Sequence, residues 1–219
     1  MFSTDRKAVV VGGSNGIGLA ICKSLVQRGY YIEICDCVQP EDGVLASNSY
    51  NYRYSNLLDF DEDAFESLAS DQCVELLMVT AGIGRIADFQ FHHTAEIEKM
   101  LTIDTVSTMK IFRIFYDRIL SERPFYTGVM GSISGWMSTP SASVYAAAKA
   151  AVVRFVESVN IELEAYGSPN RILDVSPASF KGSKFYGGKN DLSITSALAE
   201  EILEHLFDRE TRFIPQYEE

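Results

Sequence analysis

A glycine-rich turn between an apolar run and a helical pattern is the feature that most constrains the fold. Lys7–Gly12 reads KAVVVG, which has the length and composition of a fully buried parallel strand. The turn that follows it contains Gly12, Gly13, Ser14, Asn15, Gly16, Ile17 and Gly18. Beyond the turn, apolar residues recur at helical spacing until Gly29 ends the helix.

A strand, a glycine turn and a helix in this order form the phosphate-binding opening of a dinucleotide fold. Glycine lets the backbone approach a pyrophosphate, and the helix N-terminus offers N–H groups and the positive end of its dipole. We therefore predict cofactor contacts at Gly12, Ser14, Asn15, Gly16, Ile17 and Gly18. The spacing is GxxxGxG rather than the commoner GxGxxG, so a tight strand–helix turn without a ligand remains the alternative.

The second predicted strand, Tyr30–Asp36, ends in an acidic residue. Asp36 follows the turn at about the distance where such folds place a carboxylate on the adenosine ribose. A carboxylate there accepts a hydrogen bond from the 2′-OH and repels a 2′-phosphate, and no basic residue stands beside it or in the turn. The pattern favours NAD over NADP, with an ordinary turn aspartate as the alternative.

Strand and helix patterns alternate along the rest of the chain. The further predicted strands are Tyr50–Tyr54, Glu75–Val79, Phe125–Met130 and Arg171–Val175, with a short strand or tail at Arg212–Pro215. The further predicted helices are Asp61–Ala69, Thr94–Leu120, Ser143–Tyr166 and Ser196–Phe207. This alternation predicts an α/β fold, a Rossmann-like doubly wound parallel sheet flanked by helices in three layers. A chain of 219 residues fits one such domain, residues 1–219.

Polar and glycine residues follow several of these strands at their carboxyl ends. Asp36, Thr80–Gly82, Ser132 and Pro177 all stand where a predicted strand finishes. Because ligands of such sheets bind outside the carboxyl ends of the strands, we expect these residues to meet in one cleft.

A serine, a tyrosine and a lysine in one stretch are the candidate reactive residues. Tyr145 and Lys149 stand at i and i+4, on one face of a predicted helix, and Ser132 precedes that helix. An ammonium beside a phenol favours the phenolate and lowers a pKa that is about 10 when unperturbed. The pair therefore suits proton transfer near neutral pH.

From about Val9 to Pro177 the chain resembles the short-chain dehydrogenase/reductase family, specifically its short single-domain members. Val11–Gly18 is similar to that family's TGxxxGIG turn with Val in place of Thr, and Val79–Gly82 is similar to its NNAG with both asparagines changed. Ser132, Tyr145 and Lys149 match the family's catalytic serine and YxxxK in type and spacing.

The resemblance implies an NAD-dependent enzyme that interconverts an alcohol and a carbonyl. Tyr145 would exchange a proton with the substrate oxygen, Lys149 would lower the Tyr145 pKa and bind the nicotinamide ribose, and Ser132 would hold the substrate oxygen. Further implied cofactor contacts are Cys37, Asn56, Leu57, Ala81, Gly82, Tyr145, Lys149 and Pro177. The family commonly assembles through its two long helices, which here implies a homodimer or homotetramer.

Three further positions depart from the family pattern. A helix asparagine that supports the lysine through water appears as Thr105, which would alter the proton relay. The usual Pro-Gly after the sixth strand is Pro177–Ala178, and the usual adenine-contact aspartate is Asn56, with Asp59 as the alternative alignment.

Residues 178–195 follow the sixth strand as the expected substrate lid. The segment contains Lys181, Lys184 and Lys189 and has no acidic residue before Asp191, which suggests an anionic substrate. A solvated loop whose lysines serve solubility is the alternative. Trp136 either walls the substrate pocket or packs in the core.

Composition argues against several other classes of protein. A net charge of −11 disfavours a nucleic-acid binder, and no apolar run is long enough to span a membrane. We expect no signal peptide, reduced cysteines, no metal site and a cytoplasmic location. An NADPH-dependent carbonyl reductase and a cofactor-binding regulator without turnover remain as rival interpretations.

Overall fold

Seven parallel strands form the central sheet of the computed structural model, which describes residues 5–179 and 191–215. The strands are β1 (Lys7–Val11), β2 (Tyr31–Asp36), β3 (Tyr50–Tyr54), β4 (Val74–Val79), β5 (Tyr126–Met130), β6 (Ile172–Val175) and β7 (Arg212–Phe213). Their order in the sheet is β3-β2-β1-β4-β5-β6-β7. The predicted fold class, a doubly wound parallel sheet, is therefore confirmed.

Helices cover both faces of this sheet. They are α1 (Gly16–Gln27), α2 (Glu62–Ser70), α3 (Thr94–Leu101), α4 (Ser107–Ile114), α5 (Tyr116–Leu120), α6 (Ser143–Ala165) and α7 (Leu192–Phe207). In β1, Ala8 and Val10 face the core shared with α1 and α7, whereas Val9 and Val11 face the core beneath α2, α4, α5 and α6. Both faces of β1 are buried, which explains its uninterrupted apolar sequence.

The position of β1 determines where a ligand can bind. The chain runs outward from β1 through β2 to β3, then returns to place β4 on the other side of β1. Val11 pairs in register with Cys35 of β2 and with Val79 of β4, so three strand ends meet at one edge. Such a reversal of strand order opens a crevice at the carboxyl ends of the strands.

Two predicted elements differ from the structure. The helix predicted over Thr94–Leu120 is interrupted by a π-helical turn at Thr102–Val106 and by a break at Phe115 (φ −85°, ψ 1°). Helix α7 begins at Leu192 rather than Ser196, because the Asp191 carboxylate accepts a hydrogen bond from the Ser193 N–H at 3.0 Å.

The segment predicted as a lid, residues 178–195, is described only in part. Its last residues, from Leu192 onward, belong to α7. Lys181, Lys184 and Lys189, on which the expectation of an anionic substrate rests, lie outside the described residues. In the described ranges, every helix is too short or too polar to cross a bilayer.

Candidate active site

A cavity of about 490 Å³ opens at the carboxyl edge of the sheet. Segments that follow β1, β2, β3, β4, β5 and β6 all contribute to its lining, as does the N-terminal part of α6. The sequence motifs, which are far apart along the chain, therefore surround one space.

The glycine turn forms one end of the cavity. Five of its predicted contact residues line the cavity: Gly12, Asn15, Gly16, Ile17 and Gly18. Because α1 begins at Gly16, the positive end of its dipole faces the cavity, and no acidic residue occupies its first turn. A Cβ on Gly18 would lie 2.2 Å from the Gly12 carbonyl oxygen, so only glycine permits this close packing of helix and turn.

Ser14 lies beneath the turn rather than in the cavity lining. Its side chain is buried, and its backbone N–H donates to Asp36 Oδ2 at 3.0 Å. The second carboxylate oxygen, Oδ1, accepts from the Val38 N–H at 3.2 Å. These two bonds fix the Asp36 carboxylate at the rim of the cavity, where it could accept hydrogen bonds from a sugar.

Cys37, Asn56 and Leu57 line the cavity beside Asp36. The Cys37 thiol has a raised pKa because burial and the Asp36 charge disfavour the thiolate. The neighbouring Arg53 is paired with Glu33 at 2.8 Å. Lys149, at the opposite end, is the one basic residue of the described cavity lining.

Thr80 joins the end of β4 to the glycine turn. Its hydroxyl lies 2.9 Å from the Val11 carbonyl oxygen and 3.0 Å from that of Gly12, so it donates to this pair of acceptors. Thr80 thus connects the end of β4 to the glycine turn by a hydrogen bond, at the position matched above to an asparagine of the NNAG motif. Ala81 and Gly82 follow it and line the cavity, as predicted.

Ser132, Tyr145 and Lys149 line the same cavity and are all largely buried. Ser132 ends the extended segment after β5 and accepts a hydrogen bond from the Ser134 N–H at 3.2 Å, which begins a short 3₁₀ turn. The Lys149 ammonium donates to the Met130 carbonyl oxygen at 3.0 Å and lies 5.7 Å from the centre of the Tyr145 ring. A buried cation is thus held beside a phenol.

Asp104, which lies next to Lys149 behind the cavity lining, is a charged residue that sequence reasoning missed. Its side chain is fully buried, its Oδ1 accepts from the Ile83 N–H at 2.8 Å, and its Oδ2 lies 3.7 Å from Lys149 Nζ. Burial raises the Asp104 pKa, while the Lys149 charge and the hydrogen bond from Ile83 act in the opposite direction.

The resemblance matched the family's helix asparagine, which supports the lysine through water, to Thr105, one residue later. Thr105 does not line the cavity, because its hydroxyl donates to the Ala148 carbonyl oxygen at 3.0 Å and ties the π turn to α6. Asp104 lies in the π turn. Because a π turn has more residues than an α-helical turn, it changes which side chains face the site, and a pattern of 3.6 residues per turn does not predict this. A charged residue beside Ile103 in an apolar pattern was the available signal.

Pro177 and Ala178 complete the lining next to Ser132. The Pro177 carbonyl accepts from the Ile133 N–H at 3.0 Å. The end of β6 thus holds the loop of residues 131–136, called here the serine loop because it carries Ser132. Trp136 is half-buried and does not line the cavity; its ring lies against the Arg212 guanidinium at 3.8 Å.

The described residues contain no group of three or more His, Cys, Asp or Glu side chains able to hold a metal ion. What the cavity does offer is a helix N-terminus and glycine backbone at one end, a fixed carboxylate at the rim, and a phenol with an ammonium at the other end. This arrangement suits an elongated ligand with a phosphate group, a sugar hydroxyl and a reactive end that exchanges a proton.

A sequence model described as short chain dehydrogenase matches residues 6–187. The dehydrogenase RED2 of Cochliobolus heterostrophus is 27% identical over 158 residues, covering 71% of this chain and 60% of that protein. A very-long-chain 3-oxoacyl-CoA reductase of Pyricularia oryzae is 25% identical over 173 residues, covering 73% and 52%. The chain thus spans between half and two thirds of the length of these two relatives.

Solved structures share the fold at lower sequence identity. A short-chain dehydrogenase from Sphingobium yanoikuyae in complex with NADPH superposes with a TM-score of 0.80 at 20% identity, covering 98% of this chain and 89% of that one. An alcohol dehydrogenase from Thermococcus sibiricus complexed with 5-hydroxy-NADP gives a TM-score of 0.80 at 17% identity, covering 98% and 99%.

Removing the Asp104 carboxyl tests the balance of charge around Lys149. Asp104→Ala leaves a buried ammonium without its charged partner, so we expect the free energy of unfolding to fall by about 3 kcal/mol. Urea denaturation at pH 7 measures this change. Asp63→Ala, at an exposed position of α2, should change it by less than about 0.5 kcal/mol. Equal stabilities of Asp104→Ala and the wild type would contradict the buried pairing.

Proposed function

Because the chain belongs to the short-chain dehydrogenase family, we propose that it is an oxidoreductase that interconverts an alcohol and a carbonyl, with NAD as the cofactor. The observation that carries this proposal is that Ser132, Tyr145 and Lys149 line the same cavity as the glycine turn and Asp36. Reactive groups and cofactor-binding groups occupy opposite ends of one space.

The residues present fit a dinucleotide. The N-terminus of α1 and the backbone of Gly12 and Gly18 would hold the pyrophosphate, since no side chain intervenes there. Asp36 would accept hydrogen bonds from the adenosine ribose, and Lys149 would bind the nicotinamide ribose. Bound NAD supplies the hydride chemistry, and the protein supplies orientation and proton transfer.

Tyr145 is the proton-transfer group in this proposal. In reduction its phenol donates a proton to the substrate oxygen, and in oxidation its phenolate takes the proton from the alcohol. The Lys149 ammonium favours the phenolate electrostatically. Ser132 orients the substrate oxygen by a hydrogen bond from its hydroxyl, and the burial of all three side chains keeps water from competing.

Asp36 supports NAD rather than NADP. A carboxylate fixed by two backbone N–H groups repels a 2′-phosphate, and the described lining beside it contains no basic side chain. The Sphingobium and Thermococcus structures contain NADPH and an NADP derivative, which keeps an NADPH-dependent carbonyl reductase as the second candidate.

Removing the Asp36 carboxylate should reduce the preference for NADH. In fluorescence titrations we expect the wild type to bind NADH at least about tenfold more tightly than NADPH, because one charged hydrogen bond contributes about that much. Asp36→Ala should bring the two dissociation constants together, mainly by weakening NADH. Asp42→Ala, at an exposed position, serves as the control and should leave both constants unchanged. A wild-type preference for NADPH would rule out the assignment of Asp36.

Removing the Tyr145 hydroxyl should abolish most of the turnover. Tyr145→Phe keeps the ring that contributes to the cavity, so we expect the NADH dissociation constant to stay within about twofold while kcat falls by about 100-fold or more. A screen of secondary alcohols, sugars and hydroxy acids with NAD provides the substrate for this measurement. Tyr166→Phe, at an exposed position after α6, is the matched control. A full rate in Tyr145→Phe on a true substrate would exclude the proposed chemistry.

We also infer a homodimer or homotetramer that assembles through the long helical segments. The exposed side chains of Val106, Ile161 and Tyr166 support this inference, since apolar groups of this size favour a protein interface.

The unpaired state of all four cysteines is in keeping with a reducing compartment, and we place the protein in the cytoplasm.

Light scattering after gel filtration tests the assembly. We expect a mass of two or four times the 24.4 kDa chain, and Ile161→Glu should shift the protein toward the monomer because it puts charge into the interface. Ile194→Glu, at an exposed position of α7, should leave the assembly unchanged. A monomeric wild type would contradict the inference.

A further inference from the structure

Asp174 is a buried carboxylate that the proposed chemistry does not use. It stands inside strand β6 with 2% of its surface exposed. A Cβ added to Gly131 would lie 2.1 Å from Asp174 Oδ1, so the carboxylate fills the space that a side chain at position 131 would need. Gly131 directly precedes Ser132, which puts this carboxylate beneath the serine loop.

Two hydrogen-bonding side chains connect Asp174 to the far side of that loop. The Ser176 hydroxyl lies 3.0 Å and 2.9 Å from the two carboxylate oxygens, to which it donates. Trp136 Nε1 donates in turn to Ser176 Oγ at 3.1 Å. Asp174 therefore contacts the start of the serine loop directly, at Gly131. It is connected to the end of the loop, at Trp136, through the hydroxyl of Ser176.

The surroundings of Asp174 include other charged groups. Burial raises the Asp174 pKa, while the hydrogen bond from Ser176, the nearby indole N–H of Trp136 and the charges of Arg212 and Lys149 act in the opposite direction. A buried carboxyl group costs free energy that an apolar residue of similar size would not. Such a cost is typical of a position that serves a site rather than the core.

We propose that Asp174 is a positioning residue, which acts through Ser176 and Trp136 to hold the loop that carries Ser132. The role in turnover rests on the proposed function, because Ser132 matters to the rate only if it orients a substrate oxygen. Asp174 itself touches neither substrate nor cofactor. Its loss therefore slows turnover through Ser132 and leaves cofactor binding unchanged.

A double-mutant cycle tests whether Asp174 acts through Ser132. We expect Asp174→Ala to lower kcat about tenfold and Ser132→Ala to lower it about 100-fold, with the NADH dissociation constant unchanged in both. The double variant should be no slower than Ser132→Ala alone, because the loop then has no serine to orient. Losses that multiply in the double variant, or an unchanged kcat in Asp174→Ala, would overturn the proposal.

Conservative substitution separates positioning from general destabilisation. Asp174→Asn keeps an oxygen that accepts from Ser176, so it should retain at least about half of the wild-type kcat. Ser176→Ala breaks the connection but keeps the carboxylate, so it should lower kcat about tenfold, as expected for Asp174→Ala. This variant tests the proposal even if Asp174→Ala folds poorly. A loss in Asp174→Asn equal to that in Asp174→Ala would contradict a role through the hydrogen bonds.

The fluorescence of Trp136 gives a readout that needs no turnover. Trp136 is the single tryptophan of the chain, and its indole N–H belongs to the connection under test. Asp174→Ala and Ser176→Ala should lower its emission anisotropy, whereas Asp174→Asn and the exposed control Asp117→Ala should not. Unchanged anisotropy in the first two variants would overturn the proposal. If the wild type turned over no substrate, the proposed function would fail while this measurement still decided whether Asp174 holds the loop.

Discussion

The burial of one ammonium group, that of Lys149, governs the arrangement of the site. Only 3% of this residue is exposed, so its charge has to be balanced by protein groups. The Met130 carbonyl and the Asp104 carboxylate do this from β5 and from the π turn. A Cβ on Gly82 would lie 3.3 Å from the ammonium, so the absence of a side chain at this position, just after β4, leaves room for the ammonium. Three distant segments thus surround one cation, and the π turn is the one that brings the Asp104 carboxylate to it.

Local patterns were sufficient to predict the parts of the site that depend on local structure. The glycine turn, the acidic end of β2 and the i, i+4 pair of Tyr145 and Lys149 are each specified within a few residues. Alternating strand and helix patterns then predicted the parallel sheet. Because the carboxyl ends of parallel strands share one edge, convergence on one cavity followed from the fold class.

The features that were missed depend on contacts between distant segments. Asp104 was not singled out because the family resemblance pointed to Thr105, and because the π turn that brings Asp104 to Lys149 is not visible in a pattern of 3.6 residues per turn. Asp174 looked like an ordinary position in the strand RILDV, and only the pairing of β5 with β6 brings it under Gly131. Helix α7 starts early because Asp191 caps it, and that polar residue was counted as part of a loop.

The contact between Gly131 and Asp174 has a consequence for how such a pair can arise. With a carboxylate at position 174, any side chain at position 131 would overlap it, as the 2.1 Å separation indicates. A small residue at 174 combined with glycine at 131 leaves only a void, whose cost is about 1–3 kcal/mol. The order in which the two positions change therefore matters. A side chain introduced at position 131 meets the carboxylate if Asp174 is present and forces it to move, whereas glycine at 131 accepts either a carboxylate or a small residue at 174.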